Sequence, residues 1–420
     1  MGKCFVSYRR SRLDEVSRIV EAMLDHGVPP WQDLRELSSQ PLGPALRAAI
    51  GDRDTAGSLM WVSRDIAESA TILELEAPLI FSRSRTDPTF VVELWLADNV
   101  QYDEANELLR PAGLVESVST AWHLECARTV PVHQPDGSVL HRINDAEARR
   151  IASHLLRRRL REVHRVLPAE EPLRLLLRAH GDTGDAYVPG YPLQINWARH
   201  FAHRHAESET WSSRLVPALS QVLAAVRASA PGRGIVAEGP ASIASCLALG
   251  STFREVTGVS LSWKQHPAGV IWSLQEPERD SGCVVDPVRD IQIGAVDLAV
   301  FVSVTGNVEA AVAATSGLPA FRGIVSVRPG NEAQRCELNH PGQATHVARQ
   351  IARAIREGRA AMLGIKCIHL FFAGPAGLAV LLGQQLNALG PIQTYEQVQP
   401  EGGVSQYRRA ALLSDPAPPA

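Results

Sequence analysis

Residues 4–10 (CFVSYRR) constrain the fold more than any other stretch, because an apolar run ends there in Ser-Tyr-Arg and a polar helical pattern follows at once. Apolar residues then recur at helical spacing as far as Gly27, and an extended segment leads to Trp31. Strand and helix patterns alternate from there to about residue 165. Such alternation predicts a doubly wound parallel sheet with helices on both faces.

Later segments of this first region follow the same order. The patterns predict a strand at 58–62, a helix at 66–81 and a strand at 90–96. A basic helix at 145–167 leads into the sequence PAEEP at 168–172, which indicates a domain boundary. We therefore expect one domain at 1–165 and a second at 170–420.

The second domain contains an internal repeat. Residues 234–265 run strand, Gly-Pro-Ala, small-residue helix, Leu-Gly, strand, and residues 367–397 repeat that order. Two related α/β halves are the simplest explanation.

Composition limits the function. A net charge of −3 favours a small ligand over a long nucleic acid. No apolar run approaches the about 20 residues of a membrane span, and no signal-peptide core is present, so we expect a cytoplasmic protein. The six scattered cysteines predict reduced thiols. His200, His203 and His205 lack a completing ligand at a known spacing, so no metal site is expected.

The helix predicted at 66–81 carries candidate catalytic residues. Ser69 and Glu76, seven residues apart, fall beside its apolar face, so both can look into the cleft at the carboxyl ends of the strands. Glu74 falls on the opposite flank.

Residues 4–10 and 63–83 resemble Toll/interleukin-1 receptor (TIR) domains that cleave nicotinamide adenine dinucleotide (NAD). The resemblance implies that NAD is the substrate, that no cofactor is needed and that Glu76 is catalytic, with Glu74 as the fallback. In many members the serine-to-glutamate spacing is one residue shorter, which here falls on Leu75. It also implies a loop at 33–42 that controls access to the cleft and contacts between neighbouring domains. Expected NAD-binding residues are Ser7, Tyr8, Arg9, Trp31, Asp33 and Ser69; Tyr8 and Trp31 either stack on a ring of NAD or belong to the core.

Glycine-containing turns mark a second candidate site. Glycines between a strand and a helix let backbone amides approach a phosphate at the positive end of the helix. Lys264 can meet a phosphate, and Trp272 can stack on a base. The candidate residues are Gly239, Pro240, Ala241, Lys264, Trp272, Thr305, Asn307, Gly374, Pro375 and Ala376.

The region from residue 171 to the end resembles SAVED domains, which sense cyclic oligonucleotides in bacterial antiphage signalling. The resemblance rests on residues 196–201, 239–250, 263–265 and 272, and most specifically on FAGPAGLA at 372–379 with Gly383-Gln384 and Tyr395-Glu396. It implies two CARF-like (Rossmann-like) halves and a cyclic oligonucleotide activator, with a cyclic trinucleotide favoured.

Together the two resemblances imply a bacterial TIR-SAVED effector of cyclic-oligonucleotide-based antiphage signalling (CBASS). The expected fold is a flavodoxin-like TIR domain followed by a SAVED domain. The expected activity is NAD cleavage in a homo-oligomer that assembles head to tail as a filament. One alternative is a non-catalytic TIR scaffold assembled by a nucleotide sensor; another is a TIR domain that makes cyclic ADP-ribose.

Overall fold

The computed structural model describes residues 2–32, 42–114, 117–133, 139–180, 187–201, 204–330, 336, 338–400 and 403–414. The chain divides into two compact units. The first comprises Met1–Ala169, Ala186–Ile195 and Ala224–Pro231; the second comprises Glu170–Asp185, Asn196–Leu223 and Gly232–Ala420. Within the described ranges, no helix combines the length and the apolar character that a membrane crossing requires.

The first unit alternates strands and helices, as predicted. Its elements are β1 (Lys3–Ser7), α1 (Leu13–Asp25), β2 (Pro30–Trp31), α2 (Leu42–Gly51), β3 (Thr55–Val62), α3 (Ala77–Thr86), β4 (Val91–Leu96), α4 (Tyr102–Leu109), α5 (Val118–Ala121), β5 (His123–Cys126), β6 (Val130–His133), β7 (Val139–Arg142) and α6 (Asp145–Val166). Strands β1 to β5 pair in the order β2-β1-β3-β4-β5, and every pair is parallel. This is the strand order of flavodoxin-like doubly wound sheets.

The central strands of this sheet are buried on both faces. Met60 and Val62 of β3 are fully buried on one face, and Leu59 and Trp61 are equally buried on the other. The strand is therefore a continuous apolar run instead of an alternating one, as expected for a parallel sheet that helices cover on both sides.

The segment after β3 is not the single helix predicted at 66–81. A 3-10 turn at Arg64–Glu68 ends at Ser69, whose backbone is extended, and a π-helical turn at Ile72–Glu76 leads into α3. The amide of Ala77 donates to the carbonyl of Ile72, five residues earlier. Pro78 has no amide hydrogen for the carbonyl of Glu74, which gives a local reason for the departure from α-helix. The α-helical face drawn through Ser69 and Glu76 was therefore wrong in its geometry.

The remaining elements belong to the second unit, except for most of β9 and the end of α8, which belong to the first. In chain order these are β8 (Leu173–Arg178), β9 (Leu193–Asn196), α7 (Ser208–Thr210), α8 (Val216–Ser229), β10 (Ile235–Glu238), α9 (Ile243–Thr252), β11 (Leu261–Gln265), β12 (Val270–Trp272), β13 (Cys283–Val285), β14 (Arg289–Asp290), β15 (Asp297–Ser303), α10 (Val308–Ala313), β16 (Phe321–Pro329), α11 (Pro341–Ala361), β17 (Cys367–Ala373), α12 (Ala376–Gln384), β18 (Ile392–Val398) and β19 (Gln406–Leu413). A second π-helical turn, Trp211–Leu215, joins α7 to α8.

The predicted internal repeat is confirmed and is longer than its sequence signal. In one half β10 pairs in parallel with β8 and β11, and β12 adds to β11 antiparallel. In the other half β17 pairs in parallel with β15 and β18, and β19 adds to β18 antiparallel. Both halves therefore contain three parallel strands and one antiparallel strand, with α9 and α12 as the corresponding crossover helices.

One expectation about cysteine is corrected in this unit. Cys283 and Cys336 form a disulfide, whereas Cys4, Cys126, Cys246 and Cys367 are free. The two bonded cysteines are 53 residues apart, and their Cα atoms come within 6.1 Å through the fold. Their scattered positions gave no sign of this pairing.

Candidate functional site

The serine that ends β1 contacts the glutamate that ends the π-helical turn after β3. The Ser7 hydroxyl donates a hydrogen bond of 2.6 Å to Glu76 Oε2. Ser7 is 1% exposed and Glu76 is 8% exposed. Strands β1 and β3 are neighbours at the point where the strand order reverses, and doubly wound sheets bind ligands in the crevice at that point. Glu76 therefore lies where such a cleft is expected.

Glu74 and Ser69 differ from Glu76 in their surroundings. Glu74 is exposed. Ser69 is buried, and its hydroxyl oxygen accepts a 3.4 Å hydrogen bond from the amide of Ile72 at the start of the helical segment. The structure therefore favours Glu76 over Glu74 as a residue of the cleft, and it gives Ser69 a helix-capping role.

The other predicted NAD-binding residues are held by the protein itself. The guanidinium of Arg9 pairs with Glu68 at 3.5 Å, and the Tyr8 hydroxyl accepts a hydrogen bond from Gln32. Trp31 is 5% exposed and stacks on Phe5, with ring centroids 4.9 Å apart. Trp31 is thus a core residue, the second of the two alternatives. Asp33 and the loop to residue 41 lie outside the described residues.

In the second unit, the first Gly-Pro-Ala turn follows β10 and requires its glycine. Gly239 has φ +136°, and a Cβ atom there would collide with the carbonyl oxygen of Leu177. The carbonyl of Pro240 accepts from the amide of Ala179 at 2.9 Å. The turn is thus held against the end of β8. Ala241 follows the turn and lies two residues before the start of α9.

Side chains from opposite repeats cap the two crossover helices. Glu396 on β18 accepts from the amide of Ala244 in α9, at 3.3 Å. Gln265 on β11 accepts from the amide of Gly377 in α12, at 2.9 Å. Each side chain satisfies one of the amides left unpaired at a helix N-terminus. The two helix ends are therefore tied to the strands of the opposite half.

Glu396 is the unusual member of this pair because it can ionise. Burial raises the pKa of its carboxyl to about 7, although hydrogen bonds from Ser242 and from the amide of Ala244 act in the opposite direction. A carboxylate here would face the positive end of α9, where anions are favoured. The N-terminus of α9 is thus occupied by a group that changes charge near neutral pH.

Lys264 belongs to a cationic group that converges on one carboxylate. Glu238, at the end of β10, contacts Lys264 at 3.2 Å, Arg174 at 3.3 Å and His266 at 3.0 Å. Two of these partners, Lys264 and Arg174, carry a permanent positive charge. Sequence reasoning missed Glu238, Arg174 and His266, although Glu238 directly precedes Gly239.

The expectation that Trp272 stacks on a base is corrected by its environment. Trp272 is 4% exposed, and a Cβ atom at Gly377 would lie 2.6 Å from its ring. Trp272 packs beneath the start of α12 and presents no free face.

The remaining predicted turns lie side by side. The amide of Thr305 donates to the carbonyl of Ala373, which directly precedes Gly374. Asn307 caps α10 through the amide of Ala310, Pro375 is the N-cap residue of α12, and Ala376 is the first residue of that helix. A cavity beside them is lined by Ser303, Gly306, Asn307, Asp286 and Arg328, among others. The structure therefore brings the turns at 305–307 and 374–376 together.

Comparison with known proteins identifies part of the chain. Residues 218–413 match the SAVED family, described as the SMODS-associated and fused to various effectors sensor domain. No curated protein matches the chain. The chain is similar to the solved structure of a Cap4 SAVED/CARF-domain containing receptor of Acinetobacter baumannii with the cyclic trinucleotide 2'3'3'-cAAA, at 11% identity and a TM-score of 0.46, over 95% of this chain and 97% of that one. It is likewise similar to the Cap4 SAVED/CARF-domain containing receptor of Moraxella osloensis, at 14% identity and a TM-score of 0.45, over 97% of this chain and all of that one.

Proposed function

We propose that this chain is an antiphage effector of the CBASS type, in which the SAVED region binds a cyclic oligonucleotide and a TIR-type first unit then cleaves NAD. The observation that carries the enzymatic part is the buried hydrogen bond between Ser7 and Glu76 at the switch point of the first sheet. A surface used only for assembly has no need of a carboxylate buried at the point where doubly wound sheets bind ligands. This bond therefore favours the enzyme over the non-catalytic scaffold.

The chemistry assigned to Glu76 is electrostatic. Nicotinamide leaves as a neutral molecule, so no general acid is needed, while the ribose carbon gains oxocarbenium character. A carboxylate fixed beside that carbon stabilises the positive charge and can accept hydrogen bonds from the ribose hydroxyls. The hydroxyl of Ser7 orients the carboxylate before the substrate arrives. Water then attacks the ribose to give ADP-ribose; cyclisation to cyclic ADP-ribose passes through the same departure of nicotinamide.

The activator is proposed to bind across the glycine-containing turns of the second unit, and a cyclic trinucleotide is the favoured ligand. In the turns at 305–307 and 374–376, the backbone amides other than that of Thr305, which donates to Ala373, can supply donors for phosphate oxygens. The positive charges of Lys264 and Arg174 add attraction for a polyanionic ring. The ligand must compete with Glu238 for these cations, so binding is expected to rearrange that group.

Activation is proposed to proceed by head-to-tail assembly into a homo-oligomer. Ligand binding must stabilise one state of the protein over another in order to switch the enzyme on. A heterologous interface completed by the ligand can propagate as a filament and bring neighbouring first units together. Sedimentation velocity should then show large species only with the activating ligand; an unchanged monomer at saturating ligand would contradict assembly.

The experiment that tests the proposed function measures two properties of the purified full chain. Calorimetric titration with cyclic di-, tri- and tetranucleotides should identify one ligand that binds tightly. Chromatography of NAD reactions should then show nicotinamide and ADP-ribose, or cyclic ADP-ribose, with that ligand alone. Tight binding and assembly with no loss of NAD would favour the scaffold instead.

A further inference from the structure

A cluster of one glutamate and two histidines in the first unit has the composition of a metal site. Glu93 lies on β4, His123 begins β5, and His154 lies on α6. One potential ligand atom from each residue lies within 4.8 Å of the other two. The cluster is separate from Ser7, the last residue of β1, and from Glu76, which follows β3 in the chain. Two histidines and one carboxylate form a common ligand set for zinc that leaves a coordination position open.

The buried carboxylate is only half satisfied. Glu93 is fully buried, and its Oε1 accepts a 2.9 Å hydrogen bond from Arg158. Its Oε2 has no hydrogen-bond partner among the described residues, although His154 Nε2 lies 3.2 Å away and His123 Nε2 lies 3.6 Å away. The Nε2 atom of His154 is likewise without a hydrogen bond. An unpaired acceptor buried in protein is costly unless another group binds it.

These distances match a shared ion better than they match hydrogen bonds. Ligand atoms about 2.0 to 2.2 Å from a tetrahedral zinc ion lie roughly 3.4 Å from one another. The two separations from Glu93 Oε2, 3.2 and 3.6 Å, bracket that value. The two imidazole rings are stacked with centroids 4.3 Å apart, so one ring must turn before both histidine nitrogens can bind the same ion. The His123 side chain is 30% exposed and can make this rotation at the surface.

A second carboxylate supports the histidines. Glu125 Oε1 lies 3.5 Å from His154 Nδ1 and 3.1 Å from His123 Nε2, and its other oxygen accepts from Arg150. A carboxylate at Nδ1 of a metal-bound histidine fixes the ring and directs Nε2 toward the ion. When an ion binds, His123 Nε2 exchanges its hydrogen bond with Glu125 for a bond to the ion.

We propose that Glu93, His123 and His154 bind one divalent transition-metal ion, of the zinc type, that joins α6 to the edge of the sheet. Such an ion satisfies both unpaired atoms and links three residues that are each 30 or more positions apart in sequence. Because the ion binds the folded state, it is expected to stabilise the first unit.

Zinc binding by the full chain, stripped with a chelator, tests this proposal. Calorimetry should give one zinc ion per chain, with affinity at least tenfold lower in Glu93→Gln and in His154→Ala. His164→Ala, on the same helix α6, is the matched control and should bind as the wild type does. Cobalt should give the intense visible absorption of a four-coordinate ion, and zinc should raise the thermal midpoint of the wild type.

Two outcomes would overturn the proposal. One is the absence of stoichiometric zinc binding in the wild type. The other is zinc binding that Glu93→Gln, His154→Ala and the more exposed His123→Ala all leave unchanged. Since His123 lies at the surface, His123→Ala is expected to fold even if removal of buried Glu93 disturbs the unit, and circular dichroism of each variant verifies this.

Discussion

The hydroxyl of Ser7 donates to Glu76 Oε2 across 2.6 Å, although 69 residues separate the two in sequence. The bond joins the end of β1 to the π-helical turn after β3. It places the carboxylate at the one position in this sheet where two neighbouring strands connect in opposite directions.

Replacing Ser7 by alanine should weaken NAD cleavage without removing it. The loss of one hydrogen bond to a charged group costs about 1.5 to 3 kcal/mol, which corresponds to a decrease of roughly 10- to 150-fold in rate. The effect should fall on kcat, because in the proposed mechanism the bond orients the catalytic carboxylate. Steady-state kinetics with saturating activator measures it, with Ser11→Ala as a control. Equal activity of Ser7→Ala and wild type would show that this bond does not orient the catalytic group.

Alanine at Gly250 or Gly383 should destabilise the second unit. In α9 and α12 these glycines face each other, and a Cβ atom on either would overlap the backbone of the opposite helix. Overpacking of this kind costs about 1 to 3 kcal/mol, so each variant should unfold at a lower temperature. Gly51→Ala at the end of α2, where the space is open, is the control. Unchanged unfolding of Gly250→Ala would mean that the two helices can separate at no cost.

Glutamine at Glu396 should stabilise the protein above neutral pH. The folded-state pKa of Glu396, about 7, exceeds the ordinary value of 4.5, so folding favours the protonated carboxyl. The stability that this protonation gives the wild type is fully present below pH 4.5 and is lost as pH rises to about 7. This difference in pKa corresponds to about 3 kcal/mol in the free energy of unfolding. Thermal unfolding should show Glu396→Gln more stable than wild type at pH 8 and equal to it at pH 4. A wild type whose stability does not fall between pH 5 and 7, relative to Glu396→Gln, would contradict burial of an ionisable group.

Methionine at Lys264 should weaken binding of the activator. The change removes one cation from the group around Glu238 while keeping the length of the side chain. Loss of one charge-assisted contact predicts a roughly tenfold or greater rise in Kd, with weaker dependence on salt. Lys366→Met, at an exposed position of the same unit, is the control. If Lys264→Met binds as tightly as Lys366→Met, the proposed site is misplaced.

The sequence predicted the fold well where local pattern and burial agree. The alternation from β1 to β4 and the long basic helix α6 follow from apolar periodicity. The repeat follows from the two Gly-Pro-Ala turns and from the shared order of the segments around them. The sequence does not predict the extension of the repeat to β8 and β15, and to β12 and β19, because those strands share a pairing pattern but no residue signature.

Residues whose roles depend on long-range pairing were the hardest to predict. Trp272 has the type of side chain that stacks on bases, yet the close approach of Gly377 buries it. Lys264 carries the positive charge that a phosphate contact needs, but its ammonium group already contacts Glu238. A local signal does mark the π-helical turns: Pro78 and Pro217 each lie two residues after a π-helical turn and lack the amide that a regular α-helix needs there. Pro78 predicts a kink or an early end of its helix, but it does not by itself predict a π-helical turn.

The most direct test of the account is NAD consumption by the full chain with its activating cyclic oligonucleotide, comparing wild type, Glu76→Gln and Glu74→Gln. The matched pair changes two carboxyl groups of the same turn, of which Glu76 alone is buried against Ser7. The account predicts that Glu76→Gln loses at least 100-fold in activity while it still binds the activator and assembles, and that Glu74→Gln stays close to wild type. Undiminished activity in Glu76→Gln, or a loss confined to Glu74→Gln, would contradict it.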